Sequence, residues 1–295
     1  MWAYVVNLLV LISINAILAV TLNFILGYAG IFSIAHALFF GVGAYGATFA
    51  AMKLGLGFIP ATMFAMLLAA LISLALALPA LRVRGEYFVA ASLGLQMLAI
   101  TVFTEWKSVT GGIGGLTNIP PASIFGFRLR DSEDYLVLSL VCLVAIILII
   151  RALVRSSFGR SLKALRDDEV AASAFGKDVA VIKTTAVVLS SALAAIAGSL
   201  YASYMAFINV ESFVLDTSIQ TMAMVIIGGT ATLLGPVIGA VLILLLPAGL
   251  SYIPYLPPTE VGSIQQMVYG LAMVLLMVFR PGGLWGFQEQ SKGGT

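Results

Sequence analysis

The sequence has very little charge. Asp, Glu, Lys and Arg make up 9% of the 295 residues, whereas soluble domains carry about 25%. The first 52 residues contain none of these four types, although a cleaved signal peptide would begin with a basic region. Hydrophobic residues make up 61% of the chain, and the mean hydropathy is +1.09. These values exclude a soluble globular domain. They indicate an integral membrane protein whose first apolar segment is expected to be a retained span.

Metal-ligating and catalytic residues are also scarce. The single cysteine, Cys142, lies inside an apolar run, which excludes a disulfide framework. The single histidine, His36, has no carboxylate near it in the sequence and cannot form a metal site alone. It has two remaining roles: a hydrogen bond that packs helices, or a place on a polar pathway. We expect no enzyme activity, no cofactor and no metal in this chain.

The chain lacks an energy source of its own. It has no G-x-x-x-x-G-K-[ST] motif for nucleotide phosphates. The interiors of its apolar runs lack the ionisable residues that ion-coupled carriers use. The stretch 41–46 matches G-x-G-x-x-G formally, but it lies within a hydrophobic segment and follows no strand. The sequence therefore favours transport powered by a separate subunit, with an ion-coupled secondary carrier as an alternative.

What the sequence does have is a series of apolar runs of about 20 residues. Runs of this length predict transmembrane helices, because barrel strands would be shorter and alternating. The predicted fold is all-α, a polytopic bundle of about eight or nine membrane segments in a single domain over 1–295. The predicted segments cover about 4–22, 34–53, 60–81, 87–106, 134–153, 182–206, 215–229, 234–250 and 263–280. The segment 215–229 is short, so a re-entrant hairpin is the alternative there.

Basic residues near the segment ends predict the orientation. They cluster at 82–84, at 151–183 and at Arg280, and none occurs between Lys183 and Arg280. We therefore expect 151–183 and the C-terminus inside, and the N-terminus and the loop 107–133 outside. The basic residues of that loop oppose this orientation mildly, although neighbouring acidic residues dilute their charge.

Two stretches at membrane depth contain residues that interrupt a helix, at 23–46 and at 228–239. Irregular backbone in a membrane survives only against protein or a water-filled cavity. Paired interruptions of this kind point to a transporter's binding site. The small or polar residues expected on a translocation pathway are Asn23, Ser33, His36, Gly228, Gly229, Thr230 and Thr232. Close helix packing, with Gly235 and Gly239 as a G-x-x-x-G motif, is the alternative.

The charge that the chain does have is concentrated in 156–178. Apolar residues recur there at three- and four-residue steps, which predicts an amphipathic helix beginning at Ser156 or Ser157 and ending at Gly176. These apolar residues are Phe158, Leu162, Leu165, Ala172 and Phe175. The charged face is interpreted as a docking element for a soluble partner, and a solvated loop helix is the alternative.

The outside loop begins with a glycine-rich stretch, Thr110 to Pro121. Four glycines within 111–115 allow tight turns and expose backbone N–H groups. The stretch either cradles a carboxylate or folds as a compact cap, and the cap is favoured.

Several stretches along nearly the whole chain carry a family resemblance. They are LNFILGYAGIFSIAHALFFGVGAY (22–45), LRVRGEYFVAASLG (81–94), TGGIGGLTNIP (110–120), GRSLKALRDDEVAASAFGKD (159–178), VLSSALAAIAGSLYA (188–202), GGTATLLGPVIGA (228–240) and FRPGGLWG (279–286). In combination they resemble the permease subunits of ABC importers for branched-chain amino acids, specifically the LivM-like half.

The resemblance implies an assembly in the inner membrane and no nucleic-acid partner. A LivH-like second permease would complete the pathway, and two ATPase subunits carrying ATP and Mg would dock inside. A periplasmic binding protein would deliver the substrate outside. The loop helix at about 157–176 would contact the ATPase. The residues of this expected coupling site are Gly159, Arg160, Lys163, Arg166, Asp167, Asp168, Glu169, Ala171, Ala172 and Gly176.

One departure from the family pattern leaves the substrate open. Relatives usually show an asparagine in the glycine-rich loop where this chain has Gly114 or Gly115. The expected substrates are branched-chain or other hydrophobic amino acids. Urea, short amides or aromatic carboxylates carried by the same architecture are the alternative.

Overall fold

The computed structural model describes residues 2–80, 85–124, 126–250 and 261–279. Helices dominate these residues, as long apolar runs in lipid require, since each backbone group must be satisfied within the protein. The helices are α1 (Trp2–Asn23), α2 (His36–Lys53), α3 (Phe58–Ala80), α4 (Gly85–Glu105), α5 (Lys107–Thr110), α6 (Ser132–Arg155), α7 (Ser157–Asp167), α8 (Glu169–Ala174), α9 (Val179–Met205), α10 (Leu215–Gly228), α11 (Gly235–Leu250) and α12 (Val261–Phe279). The predicted all-α helical bundle is confirmed.

Nine helices of the described chain coincide with the nine predicted apolar segments to within a few residues. Six stretches of the described residues are long and apolar enough to cross a membrane by length and composition. These are Trp2–Tyr28, Phe58–Ala75, Tyr87–Glu105, Ser132–Arg155, Val179–Met205 and Val210–Gly228. The protein is therefore a multi-pass membrane protein, and the number of its spans stays a prediction. The orientation markers Arg82, Arg84 and Arg280, and the loop 251–260, lie outside the described residues.

The centre of the bundle is the packing of α9 along α2 and α3. The backbones of α2 and α9 are in direct contact, because a methyl group added at Gly198 would overlap the Phe40 carbonyl. Small residues permit this approach, which is how membrane helices gain packing energy without a hydrophobic driving force. Around this centre, α1 packs against α6, α9, α10 and α11.

One end of the bundle, here called the cap end, is closed by the loop 106–131. It contains α5, a 3₁₀ turn (Gly112–Gly114) and the strands β1 (Leu116–Thr117), β2 (Ser123–Ile124) and β3 (Phe127–Arg128). Strand β1 pairs antiparallel with β4 (Phe207–Ile208), and β2 pairs antiparallel with β3. The loop therefore folds as the compact cap that its glycines favour, next to the end of α9. The opposite end carries α7 and α8 and is called the coupling end.

Candidate functional site

The first predicted interruption lies between α1 and α2. Helix α1 runs into a π-helical turn (Phe24–Tyr28), and Gly30 follows with φ of +68° before α2 begins at His36. Turns of the π type inside helices are rare and occur frequently at functional sites. The sequence thus predicted this break correctly.

Side chains of two other helices cap the start of α2. The Ile34 N–H donates to Ser92 Oγ of α4 at 3.0 Å, and the Ala37 N–H donates to Ser218 Oγ of α10 at 2.9 Å. Ser92 lies seven residues into α4, which corresponds to about 10 Å along that helix. A helix start has N–H groups without intrahelical partners, so α2 can begin at this depth only because α4 and α10 supply acceptors.

Gln96 makes the third of these caps and also reaches further. Its Oε1 accepts the Leu38 N–H at 3.0 Å, and its Nε2 donates to the Phe213 carbonyl at 2.8 Å. The side chain is fully buried. One amide therefore joins α4, the start of α2 and the segment that leads into α10.

The second predicted interruption, the turn 229–234 between α10 and α11, is held by Asn23. Asn23 Nδ2 donates to the Thr232 carbonyl at 2.6 Å, and Asn23 Oδ1 accepts the Ala231 N–H at 3.0 Å. The turn includes Gly229 at φ of 121° and Ala231 at φ of 59°. Thr232 Oγ1 closes it by donating to the Gly229 carbonyl at 2.8 Å. The two interruptions, 209 residues apart, therefore meet through a single buried asparagine.

Gly27 makes this meeting possible. A methyl group on Gly27 would overlap both the Ala231 nitrogen and Asn23 Oδ1. The π-helical turn and the 229–234 turn are thus in backbone contact, and any larger residue at this position would separate them.

The other predicted pathway residues of the first break are buried within this chain. His36 Nε2 lies 3.0 Å from Thr21 Oγ1, and Ser190 Oγ donates to the Thr21 carbonyl at 2.7 Å. Ser33 Oγ accepts the Ala35 N–H at 3.3 Å. In contrast, Thr230 and Thr232 are half-buried and form the accessible part of their turn. A role for all of these residues in translocation stays a prediction.

The charged segment at the coupling end forms two helices, so the prediction of one continuous helix is wrong. Ser156 caps α7 by accepting the Gly159 N–H at 3.4 Å. Asp168 is extended and caps α8, with Oδ1 accepting the Val170 N–H at 2.8 Å. Asp is a strong N-cap, and it restarts the helix here. Gly176, at φ of +75°, follows the end of α8 as predicted.

The restart changes which residues face the bundle. Leu162 and Leu165 are buried as predicted, and Ala172 is buried as well. Phe175 is 86% exposed and Val170 is 78% exposed, so Phe175 does not share a face with Leu162 and Leu165 as the apolar period of one helix predicted. The helical period was extrapolated across Asp168, where the chain leaves the helix and the phase is lost.

Ion pairs around this segment are few in the described residues. Asp167 pairs with the adjacent Arg166 at 3.1 Å. Lys163, four residues before Asp167, forms no ion pair with it in the described residues. Lys183 of α9 pairs with Glu169 at 2.7 Å and ties α8 to α9. The predicted coupling residues that remain on the exposed surface are Arg160, Lys163, Arg166, Asp167, Asp168, Glu169 and Gly176.

Arg166 connects the charged segment 156–178, here called the coupling segment, to the first break. Its Nη1 donates to the Gly27 carbonyl at 3.1 Å, and its side chain packs on Gly30. We name the resulting series of contacts, Arg166 to Gly27 to Asn23 and on to the turn 229–234, the coupling seam. The coupling seam therefore connects α7 to both interruptions by direct contacts.

Residues 4–277 match the sequence pattern of the family described as branched-chain amino acid transport system / permease component. The chain belongs to this family. It is therefore a non-enzymatic permease subunit of a transport system, and the resemblance to LivM-like permeases is confirmed.

Curated permeases of the family are similar over most of the chain. The LivM protein of Escherichia coli K12, a high-affinity branched-chain amino acid transport system permease protein, is 30% identical over 95% of this chain and 69% of its own length. Its Salmonella typhimurium counterpart is 29% identical over the same shares. A probable branched-chain amino acid transport permease protein LivM of Methanocaldococcus jannaschii is 24% identical over 91% of this chain and 89% of its own length.

Sequence reasoning missed three residues that organise the breaks in this permease: Ser92, Gln96 and Ser218. Each is a polar side chain within a predicted apolar segment. Polar residues at membrane depth are costly and commonly functional. That signal was present in the sequence, but only the fold shows that all three serve the start of α2.

Proposed function

We propose that this permease forms half of the translocation pathway of an ATP-driven ABC importer in the inner membrane. The proposed substrates are branched-chain or other hydrophobic amino acids, in keeping with the names of its relatives. Its proposed partners are a LivH-like second permease, two cytoplasmic ATPase subunits that carry ATP and Mg, and a periplasmic binding protein. Family membership supports this assignment, because permeases work as parts of transport systems.

The observation that carries the proposal furthest is the contact of Arg166 with the Gly27 carbonyl. The coupling segment has a charged, exposed outer surface and a buried underside at Leu162 and Leu165. Phe175 adds an exposed aromatic side chain, and burying it in an interface with the ATPase would stabilise the complex. A solvated loop helix that only joins two spans would not need the contact between Arg166 and the π-helical turn.

The path of the chain through the membrane is part of the proposal. Helices α10 and α11 have 14 and 16 residues, about 21 and 24 Å at 1.5 Å per residue. Both are shorter than a hydrocarbon core of about 30 Å. We propose that they form a hairpin whose turn stays within the membrane, and that Thr230 and Thr232 face the second permease. Asn23, Ser33 and His36 would support that turn from behind, in a single-domain permease with its N-terminus outside.

Reconstitution of the whole complex in vesicles tests the proposal. Arg166→Gln removes the charge and the guanidinium group that contacts Gly27, while Arg151→Gln removes an exposed charge near the end of α6, outside the coupling residues. We expect both complexes to assemble. Uptake by Arg166→Gln should fall at least about tenfold with ATP hydrolysis uncoupled from substrate, whereas Arg151→Gln should stay within about twofold, since exposed charges contribute little.

Equal uptake in the two variants would contradict the proposed role of the coupling seam. Uptake by this chain alone under an ion gradient would favour an ion-coupled secondary carrier instead. The ligand of the cognate binding protein decides between hydrophobic amino acids and the alternatives of urea, short amides or aromatic carboxylates.

A further inference from the structure

A groove of about 450 Å³ lies between α3 and α4, with α2 as its floor. Val42 and Tyr45 of the floor are buried, whereas Leu98 and Val102 on the α4 side are 56% and 37% exposed. The groove therefore opens to the surroundings of the bundle. Because α3 and α4 are both long and apolar enough to cross a membrane, those surroundings are hydrocarbon.

The groove offers no hydroxyl group to a ligand. Tyr45 and Thr110 are its lining residues with hydroxyl groups. The Tyr45 hydroxyl is fully buried and does not face the groove. Thr110 Oγ1 lies 2.7 Å from the Phe103 carbonyl and 2.9 Å from the Trp106 carbonyl, so it is already hydrogen-bonded. A polar solute would lose its hydration here without compensation, so the groove suits an apolar group.

The length of the groove matches half of a hydrocarbon core. Along α4 it extends from Leu98 to Trp106, and along α2 from Leu38 to Phe49. At 1.5 Å per residue these stretches are about 12 and 16 Å long, and half of a core of about 30 Å is about 15 Å. The groove ends inward where α2 begins, since Leu38 is the third residue of that helix. An acyl chain occupies one leaflet in this way, whereas a transmembrane helix would extend across both.

Trp106 marks the outer end of the groove at the surface of the membrane. The charged residues Glu105 and Lys107 flank it, so the chain leaves the hydrocarbon here. Trp106 is 56% exposed. Neither its indole N–H nor the Lys107 ammonium has a hydrogen-bond partner in the described part of the chain. Both groups are donors, and the ester and phosphate oxygens of a lipid can accept from them.

The walls of the groove are bulky and packed. The rings of Tyr45 and Phe103 lie with their centroids 4.9 Å apart, and Phe64 and Leu68 of α3 face them across the groove. Helices in membranes associate instead through small residues that let the backbones approach. The walls therefore suit a flexible chain better than a second helix.

We propose that this groove binds one acyl chain of a membrane phospholipid, in the leaflet at the cap end. The apolar walls hold the chain, and Trp106 and Lys107 contact the ester and phosphate groups. Glu105 stands beside Lys107, so the site has no net charge and does not select an anionic headgroup. The bound chain fills the space between α3 and α4, and it does so whatever the permease transports.

Fluorescence quenching in detergent tests the groove on the purified full chain without any partner subunit, so its result is independent of the proposed importer. The chain has three tryptophans, and Trp2→Phe with Trp285→Phe leaves Trp106 as the only one. The probe is dibromostearoyl phosphatidylcholine, whose bromine atoms quench an indole on contact. We expect quenching that saturates at one lipid per chain. Unbrominated phosphatidylcholine and phosphatidylglycerol should compete equally well.

Substitutions in this background locate the site. Val102→Phe places a ring in the groove and should weaken binding about tenfold or more, because lost contact with two methylene groups of the chain has that effect. Val102→Ala leaves the groove open and should bind within about threefold of the background. The matched control is Val141→Phe on α6, at a position that is 60% exposed and outside the groove. It should bind as the background does.

Three results would overturn the proposal. Equal quenching in Val102→Phe and Val141→Phe would mean that lipid only coats the apolar surface. Quenching that rises with added lipid and never saturates would mean that no chain is held. Release of the bound lipid when the second permease is added would assign the groove to the interface between the two permeases.

Discussion

Replacing Asn23 with leucine should release the turn 229–234 from α1. The substitution keeps the approximate volume of the side chain but removes both hydrogen bonds, to the Thr232 carbonyl at 2.6 Å and from the Ala231 N–H at 3.0 Å. Asn15→Leu is the matched control on the same helix. Asn15 donates only to the Leu11 carbonyl, one turn earlier, at 2.9 Å, so no other part of the chain loses a partner.

The size of the effect follows from the burial of the groups left behind. Interhelical hydrogen bonds in membranes contribute about 0.6 kcal/mol on average, which sets a lower limit of about 1 kcal/mol for the pair. A buried polar group left unpaired costs about 1–3 kcal/mol, which sets an upper limit of about 6 kcal/mol for two groups. Asn23 is 2% exposed, but Thr232 is half-buried, so leaving its carbonyl unpaired costs less than leaving a fully buried one. We therefore expect Asn23→Leu to lower the free energy of unfolding by about 2–3 kcal/mol.

Cys142 makes this measurable, because it is a free, half-buried thiol in α6 and the only cysteine of the chain. A thiol-reactive fluorescent dye reports its exposure as the detergent-solubilised protein is heated. At about 2–4 °C per kcal/mol, Asn23→Leu should unfold roughly 4–12 °C below the wild type. Asn15→Leu should stay within about 0.5 kcal/mol, as surface-like substitutions do. Equal unfolding temperatures for the two variants would refute the assignment of Asn23 as the clamp between the breaks.

Two further substitutions test neighbouring contacts with the same dye assay. Gly27→Ala should destabilise the protein by about 1–3 kcal/mol, because the added methyl overlaps Ala231 and the backbone must shift. The control is Gly94→Ala, at a helical glycine with open space around it, which should stabilise the protein by about 0.5–1 kcal/mol. An unchanged Gly27→Ala would mean that the two turns are not in backbone contact. Gln96→Leu should lower the free energy of unfolding by about 2–6 kcal/mol, because it leaves the Leu38 N–H and the Phe213 carbonyl buried without this partner. Wild-type stability in this variant would show that water replaces the amide.

The sequence predicted the helices well because lipid leaves an apolar run few options. The segment predicted at 134–153 is a helix from Ser132 to Arg155, and the one at 182–206 is a helix from Val179 to Met205. Both breaks were also predicted, since Gly30 and the glycines at 228–229 interrupt runs that are otherwise continuous. Composition and glycine placement act locally, so a sequence shows them directly.

The same reasoning could not predict hydrogen bonds between residues that are distant in the sequence. Asn23 was recognised as an exceptional polar residue, but its contacts lie 208 and 209 residues away, and no local pattern links them. The wrong prediction of one continuous helix through Phe175 has a local cause. An aspartate followed by an acidic first turn is a signal for the start of a helix. The prediction gave more weight to the apolar period, which is unbroken across Asp168 when the sequence is taken as one helix.

The hydrogen bonds that cap the start of α2 limit the order in which this protein can fold during its synthesis. The acceptor of the Ala37 N–H, Ser218, is encoded 181 residues later. At about 5–20 residues per second, a ribosome needs roughly 10–40 s to deliver it. Until Ser218 has been synthesised, the Ala37 N–H lacks the acceptor that it has in the folded protein. The N-terminal half of the chain is therefore not an independent folding unit, and it reaches its final structure only when a helix from the far half of the chain arrives.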